Sequence, residues 1–516
     1  MKKVLKFISI LCLILLTACG KEKVENKNSV SEVKEIVIGT PSFANTLETT
    51  EQYFSWTVAR YGVGETLTKF DEKGELVPLL AESWENSKDG KSWKFKIREG
   101  VKFSDGTLMT SESVKNSLER TFKLNQRANT FFIPKSIVAD KNYLIIETEK
   151  PVTTLPGCLA DPLFIIVNTE ADTTKFAMEG PISTGPYVVE KFNPTEYCSV
   201  VRNENYWGGE VPFDRVVFKY INDQATRSLA LQSGEIQMAY SLKPENLVDF
   251  KNNDKYNIQS IKSLRGTFAF MNENGILKDK VLRQAINRAL NKEVYTAVLL
   301  GGAATPGKAP VPPTLNFGFD QLVDENTYNP KNAKEILAKA GYKDIDGDGY
   351  LETPDGQKIE LNFVIYTSRE ELKVYAQAAQ VSLKEIGIKV KLITVSYETV
   401  LKYRDSGNFD LLIWNVLVAN SGDPENYLRE NWYSKASTNQ TGYNNPKVDA
   451  LLDELSSEFD PDKRRELIIE IQQLIMDDCA TIFFGYETAY LIFSTKLKNV
   501  VMYPMDYYWL TDKMSF

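Results

Sequence analysis

The side chain that does most proton chemistry near neutral pH is missing, because the 516 residues include no histidine. That removes Ser-His-Asp and Cys-His catalysis in their usual forms, paired-His zinc sites and any imidazole metal ligand. The cysteines show no Cys-x-x-Cys spacing, no Gly-x-Ser-x-Gly elbow occurs, and no paired Asp-Thr-Gly motifs suggest an aspartic peptidase. Gly302-Ala-Ala-Thr-Pro-Gly307-Lys308-Ala309 nearly spells a phosphate loop, but Ala309 stands where a hydroxyl would hold magnesium, so it reads as a Gly/Pro connector. What remains is oxygen chemistry. Asp344, Asp346, Asp348, Tyr350, Glu352 and Asp355 have the spacing of a calcium loop, with Gly349 for the turn. The twelfth position is Asp rather than a bidentate Glu, and no clear second helix follows, so an acidic hairpin loop is the other reading. A calcium ion here would be structural. These absences argue against an enzyme and leave binding as the function to explain.

The elements that must position any site fall into two styles. Before Gly185 the pattern is α+β. Glu35–Gly39 is a short apolar strand, and Trp93, Phe95 and Ile97 alternate with lysines as a half-buried strand. Thr110 opens a helix carrying Val114 and Leu118, and Leu144–Ile146 and Phe164–Val167 are further strand candidates. From about Arg265 the rhythm becomes α/β. A helix is expected over Asp279–Leu299, with Gly301-Gly302 as its stop, and another after Asn329-Pro330. A strand over Ile359–Ile365, a helix over Glu370–Ile386, a strand over Ile388–Val395, a short helix near Thr399–Asp405 and a strand over Phe409–Trp414 follow. That order predicts a parallel unit with right-handed crossovers. Asp462–Asp478 is a late amphipathic helix.

The N-terminus reads as an address. Lys2, Lys3 and Lys6 precede an apolar run from Phe7 to Leu16, too short to span a bilayer comfortably. Leu16-Thr17-Ala18-Cys19 then resembles the lipobox of bacterial lipoproteins, which makes residues 1–18 a removable signal and Cys19 the lipidated N-terminus. Lys21–Ser31 is polar and reads as a flexible tether, so the region before residue 33 contributes no domain. Of the five cysteines, Cys12 leaves with the signal and Cys19 carries lipid; Cys158, Cys198 and Cys479 allow at most one disulfide. The formal net charge of −8 grows more negative once the three signal lysines are lost. A nucleic acid or an anionic membrane surface is therefore a poor partner, since both demand clustered cations.

Several collinear blocks carry a resemblance. Pro78-Leu-Leu-Ala-Glu-Ser-Trp84, Ser87-Lys-Asp-Gly-Lys-Ser-Trp93 and Gly100-Val-Lys-Phe-Ser-Asp-Gly106 are followed by Ser183-Thr-Gly-Pro-Tyr187, Arg202-Asn-Glu-Asn-Tyr-Trp-Gly208, Val281-Leu-Arg-Gln-Ala-Ile-Asn287 and Gly422-Asp-Pro-Glu-Asn426. The chain thus resembles the peptide/nickel solute-binding proteins, the family 5 extracellular components of ABC importers, over essentially its whole mature length. The resemblance implies an α/β, periplasmic-binding-protein-like fold of two hinged lobes with an extra inserted α+β domain. Mapped onto this chain, lobe I is 33–66, 183–263 and 488–516, inserted domain II is 67–182, and lobe III is 264–487. It implies an extracytoplasmic, lipid-anchored, monomeric subunit that takes a short peptide in the interlobe cleft and delivers it to permease and ATPase subunits. The alternative is a nickel–chelator or opine-type metallophore complex, with nickel carried inside the ligand and no cofactor required.

The resemblance also suggests site residues. Asp423 matches the aspartate that pairs with a ligand α-amino terminus in peptide-binding relatives; an Asp-Pro turn initiator is its other reading. Arg127 matches an arginine that grips ligand carboxylates in nickel-chelate binders, a task its planar fork suits, although a solvated helix-end arginine fits as well. The second arginine of that pair is replaced by Cys158-Leu-Ala-Asp-Pro-Leu163. Arg369 falls near the carboxylate-gripping arginine of dipeptide binders, across an alignment gap, and Tyr53 and Trp414 are candidates for apolar cleft walls or for core.

Overall fold

The computed structural model describes residues 33–41 and 44–516; Cys19 and the Lys21–Ser31 tether lie outside them. One mixed sheet of eleven strands organises the molecule. Its two longest strands, Tyr256–Met271 (16 residues) and Thr481–Ser494 (14 residues), run antiparallel through the centre. Toward one end, Thr481–Ser494 pairs with Met238–Tyr240, which lies beside Glu35–Thr40 and then Arg215–Tyr220. Toward the other, Tyr256–Met271 pairs with Leu411–Leu417. Between these ends the central pairing breaks, with a register shift between Lys262 and Gly266. Residues 256–262 of the first long strand are at most half-buried, whereas everything from Ser263 to Met271 is buried, so one strand serves two different environments.

Leu411–Leu417, Glu360–Tyr366 and Lys389–Val395 form the parallel unit predicted from the alternating pattern. Helix Glu370–Glu385 makes the crossover, buries Leu372, Tyr375, Ala376, Ala379 and Leu383 along one stripe, and stops at Gly387, whose φ is +81°. Around Glu35–Thr40 a separate core gathers Ile36, Ile38, Val216, Phe218, Leu491 and Phe493. A four-stranded antiparallel sheet (Ala81–Asn86, Ser92–Ile97, Tyr143–Thr148, Pro134–Asp140) carries helix Ser111–Leu124, and Trp93, Phe95, Val114, Leu118 and Ile146 pack between them. Thr110 caps that helix reciprocally with Ser113. Cys158, Cys198 and Cys479 are buried and unbridged. Among the described residues, no helix is long and apolar enough to cross a membrane.

Two local expectations fail. Phe164–Val167 is not a strand: Asp161 accepts from the Leu163 amide (2.8 Å) and starts the turn Pro162–Phe164, and the whole run is at most 2% exposed. A continuous apolar run signals burial, not strand geometry. The single helix over Asp279–Leu299 is broken. Lys280–Ala289 ends at Leu290, which is extended (φ −97°, ψ 114°), and the Asn291 side chain accepts from the Val294 amide to start a second helical segment that widens over Tyr295–Leu299. An asparagine side chain that competes for backbone amides favours such a restart.

Candidate ligand-binding cleft

Where the central pairing breaks, the two long strands stop covering each other's side chains and a chamber of about 190 Å³ opens. Ser263 and Arg265 face it from one long strand and Glu487 from the other. The Met502–Trp509 segment closes it from the side of Glu35–Thr40, and Arg369, Glu371 and Tyr375 close it from the side of the parallel unit. The sequence explains these positions locally. Arg369 immediately precedes helix Glu370–Glu385, whose first-turn acids Glu370 and Glu371 complement the helix dipole. Tyr375 lies on that helix's buried stripe; its ring stacks on Phe484 (5.0 Å) and its hydroxyl reaches Gly485, where any side chain would displace it.

The chamber's charges are balanced but loosely paired. Arg369 stands 3.3 Å from Glu371 and 3.6 Å from Glu487, and Arg265 stands 3.4 Å from Asp506. Charge-assisted contacts in good geometry are nearer 2.7–2.9 Å. Arg265 also donates to Asn415 (3.0 Å) and lies over the Trp56 ring (5.4 Å), while its Nε has no partner. The buried Tyr375 hydroxyl likewise has none. Glu487 accepts from Asn415 through Oε1, leaving Oε2 facing Arg369. Burial pushes the Glu487 carboxyl up and Arg369 works against it. Burial also acts to raise Asp506, but Arg60 (2.5 Å) and Arg265 prevail and hold it below its usual value.

The candidates read from sequence do not all meet. Arg369 lines the chamber. Arg127 pairs with the fully buried Asp161 (2.8 Å) and lies over Tyr53 (4.4 Å), with its buried Nη1 unpartnered. Asp161 also accepts from Trp56 and Tyr507, both at 3.3 Å, and Trp56 links this corner to Arg265. Trp414 packs against Tyr366 (5.3 Å) and Tyr397 (5.9 Å), and Tyr397 lies within electrostatic reach of Tyr53 and Arg127. Tyr53, Arg127 and Trp414 are not among the residues lining the chamber, so of these candidates it receives Arg369 alone. Asp423 is engaged elsewhere. Its Oδ2 takes two bonds from Arg464 (2.8 and 3.2 Å), and its Oδ1 accepts from the Glu425 amide (2.8 Å). Gly422 beside it has φ +78° with the Phe70 ring 2.6 Å from where a Cβ would sit, which accounts for the glycine in that loop.

In the acidic loop, carboxylate oxygens of Asp344, Asp346 and Asp348 come within 4.8 Å of one another. Asp344 accepts from the Gly347 and Gly349 amides, and Lys358 lies 2.5 and 3.3 Å from Asp346 and Asp348. Glu352 and Asp355 do not join that group, and Tyr350 touches it only as a donor. Glu352 is buried and accepts from the Ile345 amide, Asp355 faces Thr353 and Gln357, and Tyr350 is tied to Asp348 through its backbone amide. Sequence reading missed Arg265, Glu487, Asp506 and Tyr375. A signal existed for the first two, since each is a lone charge inside an otherwise buried apolar strand, a placement that needs a reason.

A profile of the bacterial extracellular solute-binding proteins, family 5 Middle, matches residues 75–439. The oligopeptide-binding protein AppA of Bacillus subtilis is 26% identical, over 98% of this chain and 97% of its own. The nickel-binding periplasmic protein of Escherichia coli is 26% identical, over 86% of this chain and 87% of its own. Among solved structures, AppA in complex with a nonapeptide superposes with a TM-score of 0.82 at 23% identity, covering 94% of this chain and 99% of that one. NikA from Staphylococcus aureus in complex with Ni(L-His)2 gives 0.81 at 22% identity, covering 94% and 100%. These likenesses fix the α/β, periplasmic-binding-protein-like fold. Together with the match over most of its length, they make the chain a member of the family 5 bacterial extracellular solute-binding proteins, binding components of ABC transporters rather than enzymes.

Proposed function

We propose that this protein captures a short peptide through its charged ends in the interlobe chamber and hands it, unaltered, to permease and ATPase subunits. The observation that carries the reading is the chamber at the strand crossing, where balanced but loosely paired charges and unsatisfied donors line a partly open space. Both lobes contribute to it, so a ligand that satisfies these groups favours closure. Its volume of about 190 Å³ is little larger than the roughly 150 Å³ cavity that accepts a benzene ring. A chamber of this size suits a dipeptide better than a nonapeptide. The division into 33–66 with 183–263 and 488–516, 67–182, and 264–487 belongs to this proposal, as do a Cys19 lipid anchor and a monomeric state.

A second reading has its own support. The unpartnered Nη1 of Arg127 beneath Tyr53 suits an anionic ligand such as a nickel chelate. With no histidine in the chain, such a ligand would bring its own nitrogen donors. Calorimetry with alanyl-leucine, a nonapeptide and Ni(L-His)2 separates the readings. Saturable heat from the dipeptide is expected; heat from the nickel complex alone would remove the peptide proposal.

A further inference from the structure

Which carboxylate receives the ligand's ammonium can be argued by elimination. Asp423 already carries two guanidinium bonds and a helix-capping amide, so its charge is spent. Asp506 is bound by Arg60 at 2.5 Å through Oδ2 and accepts from Trp509 through Oδ1 (2.9 Å). Asp161 is held by Arg127, Trp56, Tyr507 and the Leu163 amide. Glu371 already accepts from Arg369 through Oε1 (3.3 Å) at the start of helix Glu370–Glu385. Glu487 differs from all of these. It is fixed through Oε1 by Asn415, while Oε2 has only Arg369 at 3.6 Å, beyond hydrogen-bond length. Tyr375 lines the same chamber, and its buried hydroxyl, which reaches Gly485 two residues before Glu487 on the same strand, has no partner.

We propose that Glu487, with the Tyr375 hydroxyl beside it, is the acceptor for the ligand's primary ammonium, an assignment that rests on the peptide reading above. The ammonium fills the gap in front of Oε2 and replaces Arg369 there. Arg369 is then released toward the ligand carboxylate, so one pair of charges exchanges for two. A carboxylate oxygen without a bonded counter-ion gains more from an incoming cation than one already saturated. Glu487 sits on Thr481–Ser494 next to the break in pairing, on a strand that belongs to both ends of the sheet. Capture of the ammonium thus engages the segment across which the lobes are joined.

The test compares alanyl-leucine with N-acetyl-alanyl-leucine by calorimetry on the intact protein and on Glu487→Gln, Glu487→Asp, Tyr375→Phe and Asp423→Asn. The unaltered protein should prefer the free amine by at least about tenfold. Glu487→Gln should bring that ratio toward one by weakening only the free-amine ligand. Glu487→Asp, which keeps the charge but withdraws it by a methylene, should give an intermediate ratio and covers the case in which the amide variant folds poorly. Tyr375→Phe should lower the ratio about threefold, and Asp423→Asn should keep it. A preference that survives in Glu487→Gln and Glu487→Asp, or collapses in Asp423→Asn, overturns the assignment alone. No heat from either dipeptide with the unaltered protein overturns the peptide reading and this assignment with it.

Discussion

Two charge clusters in this molecule use the same residue types to opposite ends. Around Arg464, every strong group is bonded: Asp423 and Glu425 accept at 2.8 and 3.0 Å, and Thr153 and the Leu455 and Glu458 carbonyls accept from the same guanidinium at 2.7 to 2.9 Å. Around Arg369 and Arg265, ion pairs sit at 3.3 to 3.6 Å, Arg265 Nε is unbonded, and a tyrosine hydroxyl waits nearby. The first cluster has nothing left to offer a ligand and ties Thr153, in the segment after the four-stranded sheet, to the helices beyond Asp423. The second is under-satisfied at a place where a chamber opens. Saturation, rather than charge or burial, separates a staple from a binding surface.

The largest effect expected from this contrast is on stability. Arg464→Leu strands two mostly buried carboxylates and should cost about 3–5 kcal/mol. Arg369→Met removes looser contacts from a one-third-exposed side chain and should change stability by no more than about 1 kcal/mol. Urea unfolding of both variants beside the unaltered protein measures the gap. In the folded fraction, Arg464→Leu should bind alanyl-leucine nearly normally, while Arg369→Met should not. Equal destabilisation by the two would erase the distinction between the clusters.

Much of the fold was legible because it rests on local rules. The parallel unit follows from strands and helices alternating with glycine stops, and Thr110 announced the helix that carries Val114 and Leu118. The break at Leu290 was not legible, because the helical period continues past it and only the Asn291 side chain diverts the backbone. The cleft was half legible. Arg369 could be named, but Arg127, Tyr53 and Trp414 fall outside the chamber's lining, and nothing local to Asp423 says that Arg464, 41 residues later, saturates it. Glu487 and Asn415 are 72 residues apart and meet only through pairing across the sheet. Long-range neighbours decide whether a charge is free, and one sequence does not reveal them.

A third kind of buried carboxyl sharpens the comparison through pH. Glu65 is bonded by neutral donors only, Trp207 Nε1 and Thr184 Oγ1, both at 2.8 Å to Oε2. Burial pushes its carboxyl up to about 7 against those bonds and the more distant Lys69. Because the folded value lies above the unfolded one, Glu65 favours the fold most below about pH 4.5, and that advantage is lost as pH rises toward 7. The difference is on the order of 3 kcal/mol. Glu65→Gln should therefore flatten the fall in stability between pH 5 and 7, read as the difference in melting temperature between variant and unaltered protein. Parallel pH profiles would mean that Glu65 is ionised in the fold and belongs with Asp423.

The smallest effect belongs to a pair at the chamber's rim. Lys243, among the lining residues, reaches Glu370 at 2.6 Å, and Gln224 donates to the same carboxylate at 3.5 Å. These contacts join the segment after Met238–Tyr240 to the start of helix Glu370–Glu385, so they form only when the two sides of the chamber approach. Exposed ion pairs contribute about 0–1 kcal/mol, and Glu370 is 63% exposed here. Lys243→Ala should leave unfolding unchanged and weaken alanyl-leucine binding by a factor of about two to five, chiefly through faster release. Because the pair is screened by salt, that difference between variant and unaltered protein should shrink between 50 mM and 500 mM sodium chloride. If it persists undiminished, Lys243 touches the ligand itself, and the loosely paired cluster extends one residue further toward solvent than the distances within it indicate.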